Sequence, residues 1–221
     1  MSSQRVAYAS CMALALVVAI VLRRPSSLTW RKRLATWAGA IAGAGLGAKL
    51  PFVLSGEVWL GDGKTILSGM AGGYLGVEIA KALAGIREKT GDLFAVPLAV
   101  AVGVGRWGCW FNGCCGAPHP TVLESTFRPA MLLTPPVFES AFHFAMAVVL
   151  WRLERVQALR WHLLKVYFIA YGFFRFGMEF IRSEPRVLAG LTPYHLGSLA
   201  LILVMGVLWG VDERAKNRQL T

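Results

Sequence analysis

The sequence is dominated by seven apolar blocks, each close in length to a helix that crosses a membrane. A membrane-spanning helix needs about 20 apolar residues, and it satisfies its own backbone hydrogen bonds in lipid. The alternating ten-residue strands that are typical of a membrane β-barrel do not occur in the sequence. We therefore predict an all-α, polytopic membrane protein whose spans cover residues 6–22, 34–54, 66–83, 93–111, 137–153, 164–181 and 194–211.

Composition supports this class of protein. Of the 221 residues, 56% are hydrophobic and 16% are charged, whereas soluble domains average about 45–50% and about 25%. The net charge of +11 does not indicate nucleic-acid binding, because the lysines and arginines form short clusters between the apolar blocks. No separate soluble domain is evident, and we predict a single transmembrane domain over residues 1–221.

The distribution of basic residues predicts the orientation. Most lysines and arginines fall in one set of alternating loops, which the positive-inside rule assigns to the cytoplasm. This places the N-terminus outside and the C-terminus in the cytoplasm. The first block is followed by Arg23, Arg24 and Pro25 rather than by a small-residue cleavage site, so we expect a retained helix.

The fourth block ends in a cluster rich in glycine that carries an arginine. Arg106 lies at the rim of an apolar helix, where an arginine is costly and usually marks a function. Its guanidinium is suited to bind a lipid phosphate with two N–H groups. Asn112 and Gly113 follow it and are candidate substrate-binding residues. The alternative is a rim arginine that snorkels and tunes the position of the helix.

Three cysteines lie in or beside this cluster, at Cys109, Cys114 and Cys115. One interpretation is a thiol site, either a disulfide or a nucleophile activated by the neighbouring arginine. A zinc site would need a fourth ligand such as His119, but the spacing matches no strong zinc pattern. The remaining interpretation is that the cysteines are small packing residues. We expect no metal.

The sixth block carries an arginine and a glutamate four residues apart. Arg175 and Glu179 therefore share one helix face and can form an ion pair. Charged residues inside a span turn toward the protein interior or toward water. This favours a catalytic role, with a purely structural ion pair as the alternative. Arg182, further along the same helix, is a candidate second contact for a phosphate.

Further candidates lie on the predicted outer side. Gly72 and Gly73 belong to a glycine-rich segment that allows either a ligand or another helix to approach closely. Glu139 opens the fifth span as a carboxylate that caps the helix or completes the polar cluster. His119 and His195 are candidate bases, although a lone histidine is more often structural.

These motifs resemble, in the same order, those of the prolipoprotein diacylglyceryl transferases. Residues 105–113 resemble the family's Gly-Arg-x-Gly-Asn-x-x-Asn-Gly-Glu signature, and residues 70–76 resemble its His-Gly-Gly-Leu-x-Gly segment. Residues 171–182 resemble its Tyr-Gly, Phe-Arg, Glu-Phe and Arg helix. The resemblance covers about residues 65–200 and implies seven spans, an N-terminus outside and an outward-facing site in a bacterial cytoplasmic (inner) membrane.

The resemblance also implies an activity. Family members move the diacylglyceryl group of phosphatidylglycerol to the lipobox cysteine thiol of a preprolipoprotein, and glycerol phosphate leaves. It implies that Arg106 binds the headgroup or the leaving phosphate. The resemblance further implies that Arg175 neutralises the negative charge that develops during the reaction, and that Glu179 orients Arg175. This is the usual form of electrostatic stabilisation in catalysis. The expected partners are phosphatidylglycerol or another anionic phospholipid and a lipobox-containing preprolipoprotein, and no cofactor is expected.

The sequence departs from the family pattern at three positions. Ala71 stands where the family has a histidine, Cys109 where it has its first signature asparagine, and Cys114 where it has a glutamate. A thiol acceptor must lose its proton at or before attack. His195, His119 or a cysteine would then have to accept this proton.

Two alternative functions follow from these departures. One is a lipid-binding membrane protein that keeps its arginines but has no transferase activity. The other is a membrane thiol oxidoreductase that uses Cys109 with Cys114 or Cys115.

Overall fold

A computed structural model describes residues 3–22, 27–54, 56, 65–113, 134–180 and 190–218. The described residues form seven α-helices, which confirms the predicted all-α fold. The helices are α1 (Ser3–Val21), α2 (Trp30–Leu54), α3 (Ile66–Leu83), α4 (Gly91–Phe111), α5 (Pro135–Arg155), α6 (Leu163–Glu179) and α7 (Pro193–Arg218).

The helix boundaries follow the predicted spans closely, and the largest difference is at the end of α7. We predicted a span that ends at residue 211, whereas the helix continues to Arg218. The extra segment carries Glu213, Arg214 and Lys216, which are charged but good helix formers. A charged segment ends a membrane span without ending the helix.

Three of the described helices are long and apolar enough to cross a bilayer by length and composition, namely α2, α4 and α7. A shorter apolar helix covers Arg5–Val21. Large apolar side chains such as Leu34, Ile41 and Leu46 are exposed on α2, and Leu203 and Val207 are exposed on α7. Such surfaces are favourable in a hydrocarbon environment and unusual in water.

The helices group into two compact units. The first unit comprises Met1–Pro25 and Thr90–Tyr167, and the second comprises Ser26–Lys89 and Phe168–Thr221. The first therefore holds α1, α4, α5 and the start of α6, and the second holds α2, α3, the rest of α6 and α7. That the chain forms a single transmembrane domain stays a prediction.

In the first unit, α4 packs against α1 and α5 through small residues. A Cβ atom on Gly108 would lie 3.1 Å from Cys11 Cβ, so a larger residue there would require α1 to shift by a few tenths of an ångström. On the side of α5, the Ser140 hydroxyl donates to the Gly103 carbonyl at 2.9 Å. These contacts position the C-terminal half of α4 between two helices.

The connection from α5 to α6 is also part of the first unit. The Asp92 carboxylate accepts hydrogen bonds from the backbone N–H groups of Trp161 and Leu163, at 2.5 and 3.0 Å. Gln157, Leu159 and Trp161 have left-handed backbone conformations, with φ of 53°, 56° and 76°. The carboxylate therefore holds the connection to the first turn of α4.

In the second unit, α2 and α3 are in backbone contact along a stripe of glycines. Gly39, Gly43 and Gly47 recur every fourth residue on α2 and face Gly72 and Gly76 on α3. A Cβ on Gly72 would lie 2.8 Å from Gly47 Cα, and one on Gly76 would lie 3.0 Å from Gly43 Cα. This is the small-xxx-small packing that is common between membrane helices.

Candidate functional site

A buried ion pair joins α4 to α5 in the first unit. Arg106 and Glu139 are 5% and 1% exposed, and Nη2 of Arg106 pairs with Oε2 of Glu139. The other terminal nitrogen of the guanidinium, Nη1, donates to Cys109 Sγ at 3.6 Å. We call these three residues the α4–α5 cluster. Its buried arginine is neutralised by a carboxylate from a neighbouring helix.

The local sequence explains how this pair forms. Gly105 and Gly108, on either side of Arg106, both contact α1, and the closer contact is at Gly108. Helix α5 starts at Pro135, with proline in its first turn, and Glu139 follows within the first turns. A proline is favoured at the start of a helix, so Pro135 and Pro136 define where α5 begins and thereby where Glu139 lies.

A second buried polar pair lies one turn further along α5. His143 is fully buried, and its Nδ1 is 2.7 Å from the hydroxyl of Tyr167 at the start of α6. Tyr167 was not singled out from the sequence. The signal that was present is a tyrosine within an otherwise apolar helix, since a buried hydroxyl needs a hydrogen-bond partner.

The predicted pair between Arg175 and Glu179 is present in the second unit. Arg175 Nη1 is 2.7 Å from Glu179 Oε2, and both side chains are buried. Glu179 also accepts a hydrogen bond from the Thr192 hydroxyl at 2.8 Å through Oε1. The guanidinium carbon of Arg175 lies 4.8 Å from the centre of the Tyr194 ring, which is a cation–π contact.

His195 completes this group. We call these five residues the α6–α7 cluster: Arg175, Glu179, Thr192, Tyr194 and His195. Its Nδ1 is 3.2 Å from the backbone nitrogen of Thr192 and 3.1 Å from the Thr192 hydroxyl oxygen. The Phe176 and Phe180 rings flank the imidazole, with centroids 4.7 and 4.6 Å from its centre. Thr192 was not identified from the sequence. The available signal was a threonine directly before Pro193, a pattern typical of the start of a helix.

The other predicted residues have varied positions. Asn112 is the C-cap residue directly after α4, and Gly113 follows it with a left-handed φ of 65°. Gly72 packs against the backbone of α2, while Gly73 makes ordinary contacts with it. This is the close helix packing that the sequence allowed as an alternative, and a role for these glycines in substrate binding stays a prediction. Four further candidates lie outside the described residues: Cys114, Cys115, His119 and Arg182.

Apolar helices long enough to cross a bilayer, with ionised side chains buried in each unit, define a polytopic helical membrane protein that carries internal polar sites. Ionisable groups inside such helices are costly and are usually functional. The chain belongs to the prolipoprotein diacylglyceryl transferase family, whose sequence profile matches residues 4–211. The resemblance found in the motifs is thereby confirmed.

Individual relatives agree with this assignment. The chain is similar to phosphatidylglycerol–prolipoprotein diacylglyceryl transferase 2 of Clostridium perfringens, with 30% identity over 174 residues, 73% of this chain and 66% of that protein. A Clostridium tetani relative named phosphatidylglycerol–prolipoprotein diacylglyceryl transferase is 29% identical over 168 residues, which cover 72% of this chain and 68% of that protein.

A Cupriavidus pinatubonensis relative, also named phosphatidylglycerol–prolipoprotein diacylglyceryl transferase, is 30% identical over 181 residues. These residues cover 73% of this chain and 63% of that protein. The chain thus spans about two thirds of the length of these relatives. No solved structure matches the chain.

Proposed function

We propose that this protein transfers a diacylglyceryl group from phosphatidylglycerol, or another anionic phospholipid, to the cysteine thiol of a lipobox-containing preprolipoprotein. In this reaction the thiol sulfur forms a bond to the glyceryl carbon, and the bond from that carbon to the phosphate oxygen breaks. Glycerol phosphate leaves with the electron pair, and a base accepts the thiol proton. The observation that carries the proposal is a buried arginine on an apolar helix, Arg106, in a chain of this family.

Arg106 is assigned to the phosphate of the lipid. A guanidinium has five N–H donors in a planar fork, so it can serve a carboxylate and a phosphate at once. Glu139 holds one edge of this fork and fixes its direction from α5. Asn112 and Gly113, directly after α4, are the accompanying substrate-binding residues in this proposal. The low exposure of Arg106 strengthens its attraction for an anion, because buried charges are less screened than exposed ones.

The α6–α7 cluster is assigned to stabilising negative charge that develops as the phosphate leaves. Arg175 supplies the positive charge, and Glu179 with Thr192 fixes its position. Donors that are already oriented when charge develops need no reorganisation, which is the usual source of electrostatic catalysis. His195 belongs to the same proposed catalytic group, and Arg182 is the proposed additional phosphate contact.

The proposed location is the bacterial cytoplasmic membrane, with the N-terminus and the reaction on the outer side. The support is the clustering of lysine and arginine in alternate loops, which the positive-inside rule assigns to the cytoplasm. Ala71 on α3 replaces the family's histidine, so the group that accepts the thiol proton differs from that of the family pattern.

The test uses purified protein in phosphatidylglycerol vesicles with a synthetic lipobox peptide. Glycerol phosphate release and the peptide mass are followed together, so that hydrolysis and transfer are distinguished. We expect Arg106→Gln and Arg175→Gln each to lower the transfer rate about 100-fold or more, as for loss of an oxyanion donor. Arg155→Gln is the matched control, because this exposed arginine at the end of α5 lies outside both clusters.

Either of two results would contradict the proposal. The first is a wild-type protein that retains phosphatidylglycerol but never releases glycerol phosphate, which would indicate a lipid-binding protein. The second is transfer that survives in both arginine variants.

A further inference from the structure

The two nitrogens of His195 have different surroundings, and the difference assigns the proton of the ring. Nδ1 lies 3.2 Å from the backbone nitrogen of Thr192, with the N–H of that residue directed at it. A backbone N–H can only donate, so Nδ1 must accept. In the neutral ring, the proton is therefore on Nε2.

The Thr192 hydroxyl does not change this assignment. It donates to Glu179 Oε1 at 2.8 Å, and its oxygen accepts from the backbone N–H of His195 at 3.4 Å. Glu179 is in turn paired with Arg175. The tautomer and the orientation of the imidazole are thus fixed by a connected set of groups from α6 and from the start of α7.

The opposite side of the ring has no comparable partner. His195 is 3% exposed, and within the part of the chain that the structure describes, Nε2 has no hydrogen-bond acceptor. Phe176 and Phe180 flank the ring and offer only aromatic contacts. A buried N–H donor without an acceptor is unfavourable, and in a native protein such a group calls for an explanation such as a ligand.

We propose that the Nε2–H group of His195 donates a hydrogen bond to a phosphate oxygen of the lipid substrate; this rests on the proposed transferase function. His195 keeps its proton during the reaction, and the hydrogen bond strengthens as the departing phosphate gains negative charge. Arg175, connected to His195 through Glu179 and Thr192, adds positive charge to the same cluster. The base that accepts the thiol proton is then a different group, in contrast to the role considered from the sequence.

Two substitutions separate a donor from a base. In His195→Gln the side-chain amide nitrogen reaches the position of Nε2, so the donor is kept while the imidazole is removed. In His195→Asn the amide reaches only the position of Nδ1, which keeps the acceptor for Thr192 and removes the donor at Nε2. His162→Gln is the control, because His162 is a buried histidine of the other unit and lies outside both clusters.

The readouts are kcat and KM for phosphatidylglycerol, the pH–rate profile, and inhibition by free glycerol phosphate. We expect His195→Gln to keep kcat/KM within about threefold of wild type, with the acidic limb of the profile unchanged. We expect His195→Asn to lose about 10- to 100-fold in kcat/KM, the range for a hydrogen bond to a charged group. Weaker inhibition of His195→Asn by glycerol phosphate would assign the Nε2–H hydrogen bond to the departing phosphate. Unchanged inhibition with a raised KM for phosphatidylglycerol would assign it to the intact lipid.

Other results overturn the inference. Equal losses in both variants, with the acidic limb abolished, would make His195 the base. Wild-type rates in both variants would remove it from the reaction.

If the wild-type protein releases no glycerol phosphate, the transferase proposal fails by itself, and retention of phosphatidylglycerol in native mass spectra decides the inference. Retention by wild type and His195→Gln but not by His195→Asn would support the donor, and equal retention by all three would refute it.

Discussion

The Arg106–Glu139 ion pair makes an asymmetric prediction about stability. Both side chains are almost fully buried, so water screens neither charge, and the small energies of surface ion pairs do not apply. Glu139→Gln leaves a buried guanidinium, which cannot lose its proton. Arg106→Gln leaves a buried carboxyl group, which can take up a proton and become neutral. We therefore expect Glu139→Gln to be the more destabilising substitution.

The magnitudes follow from the cost of buried charge. Removing one partner of a buried ion pair destabilises a protein by about 3–5 kcal/mol, and we assign this range to Glu139→Gln. Arg106→Gln should cost about 1–3 kcal/mol, the range for a buried neutral polar group with incomplete hydrogen bonding. In the double variant no charge remains, so its cost should be smaller than the sum of the two single costs.

The assay is thermal unfolding in detergent micelles, followed by tryptophan fluorescence. For a chain of this size, about 3–5 kcal/mol corresponds to a Tm lowered by about 6–20 °C.

The reasoning would be refuted if Arg106→Gln were the less stable of the two single variants. It would also be refuted if the costs of the single substitutions simply added in the double variant. In the second case the two side chains would not interact energetically, despite their contact. The transfer rate provides a separate check, since the double variant should be folded yet inactive.

Three further predictions concern other contacts. Thr192→Val removes the hydroxyl that donates a hydrogen bond to Glu179. We expect it to lower the free energy of unfolding by about 1–3 kcal/mol and to lower the transfer rate, whereas Thr192→Ser should keep the wild-type stability and rate in the same assays. Gly43→Ala should lower the Tm, because a Cβ there would meet the backbone of α3, whereas Gly45→Ala on the same helix has open space and should not. Asp92→Ala should cost about 1–3 kcal/mol in thermal unfolding, because two backbone N–H groups lose their acceptor.

Local regularities in the sequence were sufficient for the fold and for part of the candidate site. The length of each apolar block determines where a helix can exist in lipid, so α3 was predicted at residues 66–83, its observed range. The Arg175–Glu179 contact was likewise predictable, because a spacing of four residues brings two side chains together on any helix.

Contacts between helices were harder to predict from the sequence. Arg106 and Glu139 were each identified as candidates, but their direct pairing depends on how α4 and α5 pack, which no local pattern specifies. Thr192 acts through a hydroxyl placed where a connection enters a helix, and many threonines share that sequence context. The spacing of Gly39, Gly43 and Gly47 did contain the signal for close packing of α2, although only the glycines of α3 were noted.

The glycine stripe between α2 and α3 also bears on how the protein is assembled. These helices are consecutive in the chain, and their contact is made by backbone atoms rather than by side chains that must find a rotamer. Chains fold from the N-terminus during synthesis, and contacts close in sequence form fastest. The pair can therefore join as soon as α3 leaves the ribosome and enters the bilayer, before α6 and α7 exist. The later helices of the second unit then insert beside a hairpin that is already complete.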